Sequence, residues 1–172
     1  ALKIGADIMA EKLRTFGFEE EMPFDLTMQK STFDEDGKID SEIQLADTGY
    51  GQGQTLVNPL HLLSMYSMFV NGGKATFWKE QVITEQTAQI VRQSLLSVIE
   101  TADGTGASAK IDGVTMLGKT GTAEIKESQD DTTGIERGWF ICETTEEMPT
   151  QIAVVGMVED VKTKGGSGYV TQ

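Results

Sequence analysis

The chain has 172 residues, enough for one domain with a real core, and its 38% hydrophobic content fits a folded globular protein. Lys and Arg total 14 against 27 Asp and Glu, a net charge of −13 that would repel a nucleic-acid backbone and reads as a solvated acidic surface. No apolar run approaches the roughly 18 residues of a membrane span, and the single cysteine, Cys142, excludes an internal disulfide and a Cys-rich zinc site.

Leu2, Ile4, Ile8, Met9, Leu13 and Phe16 recur at helical spacing, and Gly17 offers a stop. Residue 1 falls inside this pattern with no leader before it, so a chain cut from something longer is expected. Residues 18–48 read as irregular and acidic. Asp34-Glu35-Asp36-Gly37 resembles part of a calcium loop. With Gly37 at loop position six, however, the first and twelfth positions are Thr32 and Ile43, neither a carboxylate, so a calcium site is excluded. A tight turn at Asp36-Gly37 in a small hairpin is expected instead.

Gly49-Tyr50-Gly51-Gln52-Gly53 follows no evident strand and precedes no Lys-Ser/Thr pair. It is neither a dinucleotide fingerprint nor a phosphate loop. The glycines predict tight backbone from which Tyr50 and Gln52 project. Asn58 and Pro59 then open a helix with a packing face of Leu60, Leu63, Ser64, Ser67 and Met68, ended by Asn71-Gly72-Gly73. His61, the one histidine, has no metal-ligand companion and is read as a helix-surface residue. Thr84 caps a longer helix to about Thr101, carrying Ile90, Val91, Leu95, Leu96, Val98 and Ile99, and a small-residue loop spans Ala102 to Lys110.

Three strand-like runs, about 114–125, 136–145 and 151–159, complete the chain, joined by turn-rich segments at Ser128–Gly134 and Glu146–Thr150. Short-linked strands after a helical section imply an antiparallel sheet packed with helices, an α+β fold. Cys142 lies in the second run, which predicts a buried, unreactive thiol. The third run, Ile152 to Val158, is apolar almost throughout and fits a sheet covered on both faces. Gly165-Gly166-Ser167-Gly168 reads as a flexible terminal loop.

The chemistry concentrates in the first run, Met116-Leu117-Gly118-Lys119-Thr120-Gly121-Thr122-Ala123-Glu124. Lys119 supplies a cation, and Thr120 and Thr122 supply short hydroxyl donors. Gly121 lets a flat ligand lie against backbone. Such an edge can take an extended peptide as an added strand, and its N–H groups can stabilise an oxyanion. On its own, the same stretch also reads as an edge strand whose Lys and Thr keep it soluble.

Leu45 to Gly53, the Asn58-Pro59 start, Gly118-Lys119-Thr120-Gly121-Thr122-Ala123 and Gly138-Trp139-Phe140 occur in this order. Together they resemble the second half of the transpeptidase domain of class B penicillin-binding proteins, most closely the Gram-positive members, and the likeness covers the whole chain. It implies a partial penicillin-binding/β-lactamase-like fold over residues 1–172. The parent it implies is a serine-type D-Ala-D-Ala transpeptidase with no cofactor or metal. That parent cross-links peptidoglycan stem peptides through an acyl-serine, is acylated by β-lactams, and is anchored at the outer face of the cell membrane by a segment absent here.

The resemblance also distributes roles. Lys119 contributes positive potential, Thr120 and Thr122 bind a substrate carboxylate, and the Thr122 N–H is an oxyanion donor. Gly121 and Ala123 belong to the same strand motif, Tyr50 and Gln52 line the cleft rim, and Trp139 packs. The family's Ser-x-x-Lys and Ser-x-Asn motifs do not occur in the chain, so the chain alone is expected to be inactive. A β-lactamase or β-lactam sensor of the same fold, and a non-catalytic binding module, are the alternatives. With its last strand unpaired on one side, the isolated chain is expected to form a homodimer through residues 151–159.

Overall fold

Gly5 sets where the first helix begins. In the computed structural model, which describes every residue except 77, 126–130 and 132, it holds a φ of 83° that a helix cannot continue through. Helix α1 therefore runs Ala6–Thr15, shorter than the apolar spacing suggests, and Leu2, Ile4 and Ile8 stay exposed. Gly17 is the stop, at a φ of 98°. Helix α2 (Glu42–Thr48) falls in a stretch read as irregular. Ser41 Oγ accepts the Gln44 N–H at 3.1 Å and Gln44 Oε1 accepts the Asp40 N–H at 2.8 Å. This Ser-x-x-Gln spacing caps the helix start, with the Gln44 side chain returning one residue beyond the N-cap.

Asp36-Gly37 is the expected turn, with Asp34 and Asp36 carboxylates each accepting the N–H two residues on. No hairpin flanks it among the described residues. Thr32 instead bridges to Leu56, joining this segment to the approach of α3.

Helix α3 (Pro59–Ser67) starts as expected, with Asn58 Oδ1 accepting the Leu60 N–H. His61 corrects the surface reading, because only 1% of it is exposed. Its Nε2 donates to the Phe16 carbonyl at 2.9 Å, and its Nδ1 accepts from Ser31 Oγ at 2.6 Å. The rings of Phe18 and Trp78 stand edge-on to it. Burial depresses the pKa of the imidazole and keeps it neutral. The histidine thus clasps one hydrophobic cluster, Ala10, Phe18, Phe33, Ile39 and Leu45, to the end of α1.

Helix α4 (Glu85–Glu100) is capped by Thr84 and lays Leu95 and Ile99 against the sheet, while Ile90 faces solvent. Strands β1 (Met116–Ile125), β2 (Ile135–Thr144) and β3 (Ala153–Val158) form one antiparallel sheet in that order. The connection expected over Ser128–Gly134 lies largely outside the described residues.

Met116 and Phe140 meet Ile99 on one face, and Leu117 and Ile141 are buried on the other. Gly118 is what lets α4 come this close. A Cβ there would lie 2.7 Å from Ile99 Cδ1 and 2.8 Å from the Ile141 carbonyl oxygen. Cys142 is half-buried, and burial raises its thiol pKa.

Two expectations about the end of the chain change. β3 is not covered on both faces, since Ile152 is 55% and Val154 51% exposed. The glycine-rich terminus is not a loose loop. Gly166–Thr171 form a 3-10 helix whose Val170, with the fully buried Val161, packs over Gly138.

Candidate active-site edge

β1 has β2 on one side and, among the described residues, no strand on the other. The Thr115 carbonyl accepts the Thr145 N–H at 3.0 Å, so main-chain groups of odd-numbered residues face β2. In an antiparallel strand the next residues turn the opposite way, so those of 116, 118, 120 and 122 face the free edge. Met116 fits this parity, because its N–H reaches out to Glu100 Oε1 at 3.2 Å.

Side chains divide by the same alternation. Lys119 stands on the face of Leu117 and Gly121, is exposed, and donates from Nζ to the Thr120 carbonyl at 2.6 Å. Thr120 and Thr122 stand on the α4 face. Thr122 is exposed, but Thr120 is only 6% exposed and its Oγ1 lies 2.8 Å from Thr105 Oγ1. That hydroxyl pair uses one hydrogen and leaves the other to be donated onward. Thr105, at the surface beside the strand, is a residue the sequence reading missed, and a small-residue loop gives no signal for such a contact.

Gly121 sits opposite Trp139, whose Cβ would be 3.6 Å from a Cβ at position 121. The strand backbone is therefore open to close approach there. Ala123 is half-buried opposite Arg137.

The glycine-rich segment after α2 comes to this edge. Gly51 and Gly53 adopt φ of 77° and 69°, and the Gln52 N–H returns to the Asp47 carbonyl at 2.9 Å. Gln52 Nε2 then donates to the Thr122 carbonyl at 3.1 Å, across 70 residues of chain. Tyr50 points into solvent, 68% exposed, with its hydroxyl on Asp47 Oδ1 at 2.8 Å. Of the two predicted rim residues, Gln52 touches the strand, whereas the Tyr50 hydroxyl is held on Asp47.

Behind the sheet, a cavity of about 470 Å³ lies between α3 and β2–β3, lined by Phe24, Leu60, Ser64, Ser67, Glu143 and Ala153 among others. Glu143 is buried there with Oε2 unpartnered among the described residues, and burial, helped by nearby Glu146, raises its pKa to about 7. No sequence pattern marked it. No cluster of potential metal ligands occurs among the described residues, and none of the described helices is long and apolar enough to cross a membrane.

The fold, an antiparallel sheet backed by helices, is shared with solved penicillin-binding transpeptidase domains. Penicillin-binding protein A of Mycobacterium tuberculosis, solved as a ceftriaxone acyl-enzyme complex, superposes with a TM-score of 0.78 at 23% identity, over 98% of this chain and 41% of that one. The transpeptidase domain of Burkholderia pseudomallei penicillin-binding protein 3 gives 0.78 at 21% identity, over 96% and 53%. Residues 1–172 match the penicillin binding protein transpeptidase domain family, and the chain belongs to it. Penicillin-binding protein 3 of Bacillus subtilis is 40% identical over 185 residues, covering 100% of this chain and 27% of that protein. The chain thus spans about a quarter of the length of this relative.

Proposed function

We propose that the chain is the C-terminal part of the catalytic domain of a class B penicillin-binding protein, a serine-type D-Ala-D-Ala transpeptidase that joins peptidoglycan stem peptides. The observation that carries this reading is the open edge of β1. It aligns Lys119, a buried Thr120, an unobstructed Gly121 and an exposed Thr122 within a chain that matches the family end to end. In this reading Lys119 gives the cleft the positive potential an anionic peptide terminus or β-lactam needs. The Thr120 and Thr122 hydroxyls hold its carboxylate, and the Thr122 N–H faces the edge as an oxyanion donor. Tyr50 and Gln52 form the rim, and Ala123 continues the strand along the ligand.

The attacking serine and its lysine belong to sequence outside these 172 residues, in a protein held at the outer face of the cell membrane. Gel detection of a fluorescent penicillin tests this directly. The longer protein should be labelled stoichiometrically, and the 172-residue chain should not. A covalent adduct on any serine of the short chain would overturn the assignment.

The same reading supports one expectation for the isolated chain. Ile152, Val154 and Met157 leave β3 an exposed apolar edge strand, which invites pairing with a second copy. Sedimentation at micromolar concentration should give a dimer, and a monomer would remove this expectation.

A further inference from the structure

The polarity of the free edge of β1 depends on side chains that reach it. Its two outward carbonyls in the motif, those of Thr120 and Thr122, are each occupied in the unliganded chain, by Lys119 Nζ and by Gln52 Nε2. The N–H groups of the same two residues face outward on the same edge. Over these two residues the edge therefore presents N–H donors to a ligand, while each carbonyl already holds one hydrogen bond.

The two occupants differ in kind. Lys119 is the neighbour in sequence, and its ammonium swings on a flexible stem. Gln52 comes from a loop shaped by two positive-φ glycines and tied back to Asp47. Its amide is thus delivered to one atom of the edge by the fold. The contact is exposed and 3.1 Å long, so it is a bond that a better-placed donor can replace.

An extended ligand added to this edge donates its own main-chain-like N–H to the outward carbonyls. At Thr122 that donor meets Gln52. We propose that Gln52 is a displaceable cap on the Thr122 carbonyl and a specificity-determining residue. Ligands that bring an amide N–H to that carbonyl compete with Gln52, and ligands without one do not. This inference rests on the reading of β1 as the ligand-binding edge of a transpeptidase.

The test uses the longer protein that carries this chain and two acylating probes. Benzylpenicillin has a side-chain amide N–H, and penicillanic acid lacks it. Second-order acylation rates are measured for wild type, Gln52→Ala and Gln52→Met, the last keeping the length of the side chain without a donor. The ratio of the benzylpenicillin rate to the penicillanic acid rate should rise about 2- to 10-fold in both variants, the weight of one exposed hydrogen bond. An unchanged ratio, with both rates moving together, would reduce Gln52 to a loop anchor and overturn the inference. So would a ratio that falls, which would mean that Gln52 assists the amide-bearing ligand. Failure of wild type to be acylated by either probe would sink the transpeptidase reading itself and this inference with it.

Discussion

Two hydrophobic clusters among the described residues are held together by different means. The N-terminal cluster of Ala10, Phe18, Phe33, Ile39 and Leu45 is drawn from helices and irregular chain. What fixes its geometry is a buried polar clasp, His61 between Ser31 and the Phe16 carbonyl. The second cluster, around Ile99, Met116 and Phe140, rests on a continuous ladder and on the close approach of α4 at Gly118. The first region can shift where a hydrogen bond is lost. The second shifts only if a strand moves. The site uses both, since the rigid ladder presents Lys119 to Thr122 and the clasped region supplies Gln52.

The largest blow to the sheet region is Ile99→Ala. Ile99 is fully buried against Gly118, and the cavity left should cost about 4 kcal/mol. A denaturant melt checks it, and a loss below about 1 kcal/mol would mean that α4 does not brace β1.

His61→Ala strikes the other region. It strands the Phe16 carbonyl and leaves the Ser31 hydroxyl hydrogen without its acceptor, at about 3 kcal/mol, although Ser31 Oγ still accepts the Asn58 N–H. It should also flatten the acid limb of the stability curve. The folded imidazole titrates below its ordinary value, so it stabilises the fold above pH 6.5 and that contribution fades as pH falls. Melts from pH 5 to 8 that keep the same acid slope in the variant would dismiss the clasp.

The smallest expected effect has the opposite sign. Glu143 is raised from 4.5 to about 7 by burial. Its contribution is therefore complete below pH 4.5 and is lost as pH climbs toward 7, because the unfolded chain ionises first. Glu143→Gln should stabilise the 172-residue chain at pH 8 by about 2 kcal/mol relative to its effect at pH 4. Equal effects at the two pH values would show the carboxyl to be solvated or paired.

The same contrast explains what the sequence revealed. Periodicity, caps and turn residues marked α1, α3, α4 and the three strands, because those elements are local and long. α2 escaped because seven residues carry too little periodicity, although Ser41 and Gln44 spell its cap. His61 was misplaced because its partners, Ser31 and Phe16, lie 30 and 45 residues away. The covered look of β3 came from composition, which records that a strand is apolar but not what packs on it. The Lys119–Thr122 motif was legible as chemistry. The Thr105–Thr120 and Gln52–Thr122 bonds were not, because each joins a loop to the strand across distances that spacing rules do not reach.

If Lys119 makes this edge a site for anionic acyl donors, its removal should be felt in acylation and not in folding. In the longer protein, Lys119→Ala should lower the second-order rate of acylation by a penicillin about 100-fold. The melting temperature should stay close to that of wild type, since the side chain is exposed. Acylation at the wild-type rate in a folded Lys119→Ala protein would contradict the claim and leave Lys119 as a solubilising edge residue.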